Sequence, residues 1–330
     1  MNTFKWLLRR EYWEHRGGFL WAPIVTGAIF LLLSVMAIIA GETVRRSVDD
    51  GGVKLTLNNV ELGQLTQTLS PREQQEMAGA IDLGMLMASS WPFIVLAFVV
   101  FFYCLGALFD ERKDRSVLFW KSLPLSDGQT VLSKLASALV MAPVIATAAA
   151  VATGLGFLVI LSFYAMFHGG NPFDLIWGPA SPLTVAFHLI AALPVYAMWA
   201  LPTVGWLLLV SAWARSKPFL WALLVPVFAG VLVTWFGVMK LFGLNAGWFW
   251  QRVVGRAMLG TVTGMDLIYR GASDPAIRNW QVDGPQDIVA LFSAQTAWGA
   301  FATPDLWIGA AFGVAMILGA MHFRRSRDEG

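Results

Sequence analysis

Residues 135–165, LASALVMAPVIATAAAVATGLGFLVILSFYA, run for 31 positions without an Asp, Glu, Lys or Arg. About 20 mainly apolar residues let a helix cross the hydrocarbon core of a bilayer. This stretch therefore reads as a membrane span with length to spare. The whole chain agrees: of 330 residues, 57% are apolar and 13% charged, where a soluble domain carries about 25% charged residues. A mean hydropathy of +0.62 leaves too little polar surface for a water-facing exterior. The net charge of +2 suggests no nucleic-acid partner, and the single cysteine, Cys104, has no second thiol with which to form an intrachain disulfide.

Working outward from 135–165, five further runs lack all four charged residue types: 17–40, 83–109, 183–213, 218–239 and 306–323. The reversal between the third and fourth spans is HGGNPFDLIWGPASP, residues 168–182, rich in the glycines and prolines of turns. The N-terminal run is too long for a signal-peptide core and is followed by five more spans, so it is expected to be retained. The predicted fold is an all-α polytopic membrane protein with six transmembrane helices. An N-terminal interfacial helix covers 1–16, external segments cover 41–82 and 240–305, and a tail covers 324–330.

Orientation follows from Lys and Arg. With the N-terminus inside, the inside segments 1–16, 110–134, 214–217 and 324–330 hold 14 of the 23 Lys and Arg in 52 residues; the outside segments hold nine in 125. This density bias puts both termini in the cytoplasm.

The spans are notable for what they lack. Ion-coupled carriers keep intramembrane acids or bases for the coupling ion, and here the runs hold only two histidines, His188 and, at the end of the sixth, His322; His188 is expected to be a hydrogen-bonded packing residue. H-E-x-x-H, G-x-S-x-G and Cys/His metal spacings are absent, as is the phosphate loop G-x-x-x-x-G-K-[ST]. The chain is thus expected to be no enzyme, to hold no cofactor or metal, and to draw any transport energy from a partner that binds ATP and Mg. Pro143, Pro194, Pro202 and Pro226 read either as hinges or as ordinary bundle shape. Ala142, Ala146, Ala150 and Gly154, and Gly309 with Gly313, read as close-packing positions, within the bundle or at a dimer face.

The charged segment 110–134 is the one sizeable inside loop between spans. Asp110, Glu111, Arg112, Lys113, Asp114 and Arg115 form a mixed-sign cluster, followed by Phe119, Trp120, Lys121, Leu123 and Pro124. Pro124 holds Leu123 extended, and Ser126 or Asp127 then caps a helix entering the third span. Aromatic anchors within a polar rim suit a protein interface; a solvated topology anchor is the plainer alternative. In the N-terminal helix, Phe4, Leu7, Leu8 and Tyr12 form one stripe with Lys5, Arg9 and Arg16 beside it. Arg10, Glu11 and Trp13 complete the expected interfacial set.

The segment DERKDRSVLFWKSLPLSDGQTVLSK, residues 110–134, resembles the first cytoplasmic loop of bacterial ABC transporter permeases of the type-2 exporter class. The opening FKWLLRREYWEHRGGFLWAP is similar to the start of such permeases. The resemblance covers about 45 residues closely and the rest loosely through the six-span plan. It implies residence in the bacterial cytoplasmic (inner) membrane, and a dimer with a second copy or a related permease. It also implies that the loop around 110–124 docks into a groove of a cytoplasmic ATPase subunit, with the N-terminal helix lying against lipid and touching the same partner. A membrane scaffold that recruits a cytoplasmic protein without moving cargo is the alternative. Uncharged spans lean towards an amphiphilic cargo, which stays unidentified.

The external segments carry weaker signals. Ser70 and Glu73 predict a capping box on a short helix. Residues 248–271 are apolar enough to dip into the bilayer, leaving Arg252 and Arg256 at the outer surface, and 283–301 read as an amphipathic helix.

Overall fold

In a computed structural model, which describes residues 3–50, 70–114, 126–239, 245–271 and 274–326, every described regular element is helical. Helix α1 (Thr3–Arg16) bends at His15 (φ −112°, ψ 15°) and passes through a π-turn, Gly17–Trp21, into α2 (Ala22–Asp50). Helix α3 (Pro71–Gly106) is the second span, and the short α4 (Phe109–Lys113) follows it. The third span joins α5 (Asp127–Ala136), a π-turn at Ser137–Met141 and α6 (Ala142–Phe167). Helices α7 (Pro182–Ala191) and α8 (Leu193–Trp213) form the fourth, α9 (Pro218–Val238) the fifth. Short helices α10 (Ala246–Phe249), α11 (Arg256–Leu259), α12 (Met265–Gly271), α13 (Pro275–Arg278), α14 (Pro285–Leu291) and α15 (Ala294–Trp298) precede α16 (Pro304–Ser326), the sixth. Six helical stretches are long and apolar enough to cross a membrane.

The span ends differ from the apolar runs. Helix α2 continues to Asp50, and α3 begins at Pro71, well before the apolar run at 83. The Ser70 box does form, with Ser70 N donating to Glu73 Oε2 at 2.7 Å and Glu73 N to Ser70 Oγ at 3.4 Å. It opens a 36-residue helix instead of a short one, because nothing between the box and the span stops helical propagation. Ser126, not Asp127, caps α5, its Oγ accepting from Gln129 N at 3.2 Å.

Three π-turns sit two residues before a proline: Gly17–Trp21 before Pro23, Ser137–Met141 before Pro143 and Phe173–Trp177 before Pro179. Proline offers no N–H and its ring crowds the carbonyl four residues back; a widened turn relieves both. Ala22 N accordingly bonds to Gly17 O and Ala142 N to Ser137 O. Pro194 falls in the first turn of α8, where the missing donor is not needed, whereas Pro92, Pro202 and Pro226 lie inside helices.

Small residues decide the packing. The stripe Ala142, Ala146, Ala150 and Gly154 is buried inside the bundle, and a Cβ on Gly154 would lie 2.5 Å from Ser89 Oγ of α3. Between α8 and α16, a Cβ on Gly205 would lie 2.6 Å from Gly313 O, and one on Gly313 2.8 Å from Leu201 O. These backbones are in van der Waals contact, so here the small residues serve internal packing. The main core, from Phe93 and Leu96 through Leu207 and Leu208, lies among α3, α6, α8 and α16. Phe98, Phe102, Leu32, Val231 and Phe312 point outward from the spans and are exposed, as lipid-facing positions are.

Candidate functional site: a charged clamp at the base of the loop after span two

The two described ends of segment 110–134, residues 110–114 and 126–134, meet at a single buried cluster of charges. Helix α3 ends at Gly106, and the chain breaks at Ala107 and Leu108 before α4. Ser211 of α8 holds the break open: its Oγ accepts from Leu108 N and Phe109 N, both at 3.0 Å. Arg112 adds to this seam, donating through Nη2 to the carbonyls of Ser211 at 2.5 Å and Ala214 at 2.9 Å.

One turn of α4 then turns Glu111 inward, where it is 7% exposed. Its Oε1 lies 3.0 Å from Lys134 Nζ and 3.3 Å from Arg10 Nη2, and its Oε2 lies 2.9 Å from Arg324 Nη1. Lys134 Nζ also donates to Glu11 Oε1 at 3.0 Å, and Tyr103 donates its hydroxyl to Glu11 Oε2 at 2.7 Å. Arg324 completes the cluster through Nε to Asp127 Oδ1 at 3.1 Å. Glu11 and Lys134 are fully buried. Five elements meet here: α1, the end of α3, α4, α5 and the last turns of α16. Helix α1 and the last turns of α16 thus lie at the same end of the bundle as the described ends of the loop.

Burying isolated charges costs several kcal/mol per ion, and only dense pairing offsets it. The gain is geometric. A lysine bridging two carboxylates from elements a hundred residues apart fixes where the loop begins and ends.

Beside the clamp, α1 and α3 border a cleft of about 750 Å³ with an apolar wall at Phe98, Val99 and Phe102 and a polar rim that includes Arg10, His15 and Asp110. Among the described residues, one His and carboxylate grouping has metal-compatible spacing: Glu11, Glu14 and His15. Its carboxylates already carry cations, Lys134 on Glu11 and Arg10 on Glu14 at 2.8 Å.

The residues singled out in the sequence divide sharply. Asp110, Lys113 and Asp114 are exposed, Arg112 is half-buried on α8, and Glu111 is buried in the clamp. Arg115, Phe119, Trp120, Lys121, Leu123 and Pro124 lie outside the described residues. On α1, Lys5, Arg9, Trp13 and Arg16 are exposed, Arg10 is partly buried and Glu11 is buried. Glu11 and Glu111 are taken up in ion pairs within the chain. Lys134, Arg324, Tyr103, Asp127 and Ser211 belong to the site and went unread in the sequence as site residues.

At the opposite end, Arg256 departs from the expectation of an outer-surface residue. It is 7% exposed, with its guanidinium 4.1 Å from the centre of the Trp199 ring and packed against Gly309, whose missing side chain makes the space. Nη1 donates to Asp305 O at 2.5 Å, and Thr203 donates to Arg256 O at 2.5 Å. Arg252 pairs with the Asp305 carboxylate. Burial first, and then the neighbouring Arg252, pull the Arg256 guanidinium down to about 10, so it stays cationic at neutral pH. The short helix α14 packs over α3, where a Cβ on Gly79 would lie 2.7 Å from Gln286 N.

Comparison of the chain with protein-family models, with curated proteins and with solved structures gives no match. Fold and hydropathy define its class: a six-span helical membrane protein with a buried charge cluster at the end shared by α1 and the last turns of α16.

Proposed function

We propose that this chain is the membrane-spanning permease subunit of an ATP-driven exporter, with ATP and Mg bound and hydrolysed by a separate cytoplasmic ATPase subunit. In this reading the protein sits in a bacterial inner membrane with both termini inside, pairs with a second permease, and moves an amphiphilic cargo. Loop 110–134 is the lever. What supports this reading is the clamp: a docking loop passes force to the bundle only if its two ends are held, and Glu111 before the loop and Asp127 and Lys134 after it are ion-paired to α1 and α16. A loop serving only as a topology anchor has no use for buried ion pairs at both ends.

The test is reconstitution with a co-expressed soluble ATPase in vesicles. The intact complex is expected to hydrolyse ATP and move a fluorescent amphiphile in an ATP-dependent way. Trp120→Ala is expected to lower transport at least about tenfold, the consequence of losing roughly 1.4 kcal/mol at an interface anchor, while the ATPase subunit still hydrolyses ATP. Recovery of a bound soluble protein without any ATP-dependent movement would replace the exporter with a scaffold.

A further inference from the structure

The outward face of α1 carries a pattern that the loop and the clamp do not account for. Lys5, Trp6, Arg9 and Trp13 fall within roughly 100° of arc on a helix of 3.6 residues per turn, Arg16 follows just past the bend beside Trp13, and all five are exposed. Arg9 lies 5.4 Å from the Trp6 ring centre and Arg16 lies 5.6 Å from that of Trp13, so the face repeats an indole–guanidinium pair at a seven-residue interval. The acidic residues of α1 are off this face: Glu11 is taken by Lys134 and Glu14 by Arg10. Among the described residues, Lys5, Arg9 and Arg16 have no carboxylate partner.

We infer that this arc is a seat for anionic lipid headgroups, whose phosphates rest on Lys5, Arg9 and Arg16 while the Trp6 and Trp13 indoles lie at headgroup depth. Depth and direction carry the argument. Glu11, on the opposite side of α1, accepts from Tyr103 in the last turn of α3 and from Lys134 at the entry of span three, which puts α1 level with the span ends. Its outer arc, opposite Glu11, therefore faces away from the bundle at the level of the span ends, the depth at which indoles concentrate in membrane proteins. Past the bend, Trp21 is 56% exposed at the start of span one, whose Ile24, Val25 and Ile29 are also exposed, so an exposed apolar surface begins directly after the arc. Guanidinium and ammonium groups without acidic neighbours complement phosphate, and basic residues at such a surface contribute about 1 kcal/mol each, or roughly five-fold in affinity. This inference is independent of ATP-driven export.

The test is native mass spectrometry of the full chain, titrated in detergent with phosphatidylglycerol and with phosphatidylcholine. The wild-type chain is expected to retain phosphatidylglycerol preferentially, and R9Q/R16Q to lose roughly 25-fold of that preference at unchanged melting temperature. The charge-matched R215Q/R325Q, altered at exposed sites elsewhere, is expected to behave as wild type. Equal retention of the two lipids by the wild type overturns the inference, as does full retention of phosphatidylglycerol by R9Q/R16Q. If R9Q/R16Q keeps the lipid but sheds a co-purifying soluble protein, the face docks protein and the lipid seat is likewise refuted.

Discussion

Lys134 is the residue on which the clamp turns. Its ammonium lies 3.0 Å from both Glu11 and Glu111, so Lys134→Met leaves two buried carboxylates without their shared cation. Removing one member of a buried pair costs about 3–5 kcal/mol, and the variant is expected to unfold at a clearly lower temperature in detergent. The triple variant E11Q/E111Q/K134M should recover part of that loss, because no unpaired buried charge remains. Failure to recover would show that Lys134 acts through its packing. Little of this was legible residue by residue. Lys134 and Arg324 both stand at a span end, where a cation is ordinary, and a cation facing water reads the same in the sequence as one facing a buried carboxylate. Glu111 was noticed for its charged neighbours, but whether a helical turn points it outward or inward depends on the break at Leu108, which Ser211 of a distant span holds open.

At the scale of the element, glycine position separates structural from incidental. Gly205 and Gly313 bring α8 and α16 into backbone contact, so Gly205→Val is expected to force the helices apart and destabilise by about 1–3 kcal/mol or more, the range of overpacked cores. Gly41 of α2 meets nothing within 4 Å of a built Cβ. Gly41→Ala is therefore expected to be neutral or stabilising by up to about 1 kcal/mol through helix propensity. Equal effects of the two changes in thermal unfolding would remove this account of the α8–α16 contact. Helix type and rough position were legible from apolar run length, and the caps at Ser70 and Ser126 from their residue types. Helix ends were not: α2 and α3 extend beyond their apolar runs because helical hydrogen bonding continues through polar residues, while hydropathy reports only solvent preference.

At the scale of the molecule, α16 is a rod of 23 residues, about 34 Å long, fastened at both ends. Asp305 and Gly309 hold Arg252 and Arg256 of the segment between spans five and six, and Arg324 holds the loop base. Gly309→Val fills the space that receives Arg256 and is expected to make the segment 246–302 protease-sensitive. Arg324→Met should loosen only the loop base, and the two losses in melting temperature should add, since distant sites without shared partners are independent. A melting loss for the pair well beyond the sum would show that the two fastenings are coupled along α16. The sequence by itself determined the membrane class, the six spans and the absence of charge within them, because hydropathy over a window is a local sum that needs no knowledge of neighbours. Only the tertiary structure decided which charges meet. Glu11, Glu111, Lys134 and Arg324 are brought together by helix packing across the whole chain, and no periodicity or spacing encodes a contact between positions more than two hundred residues apart.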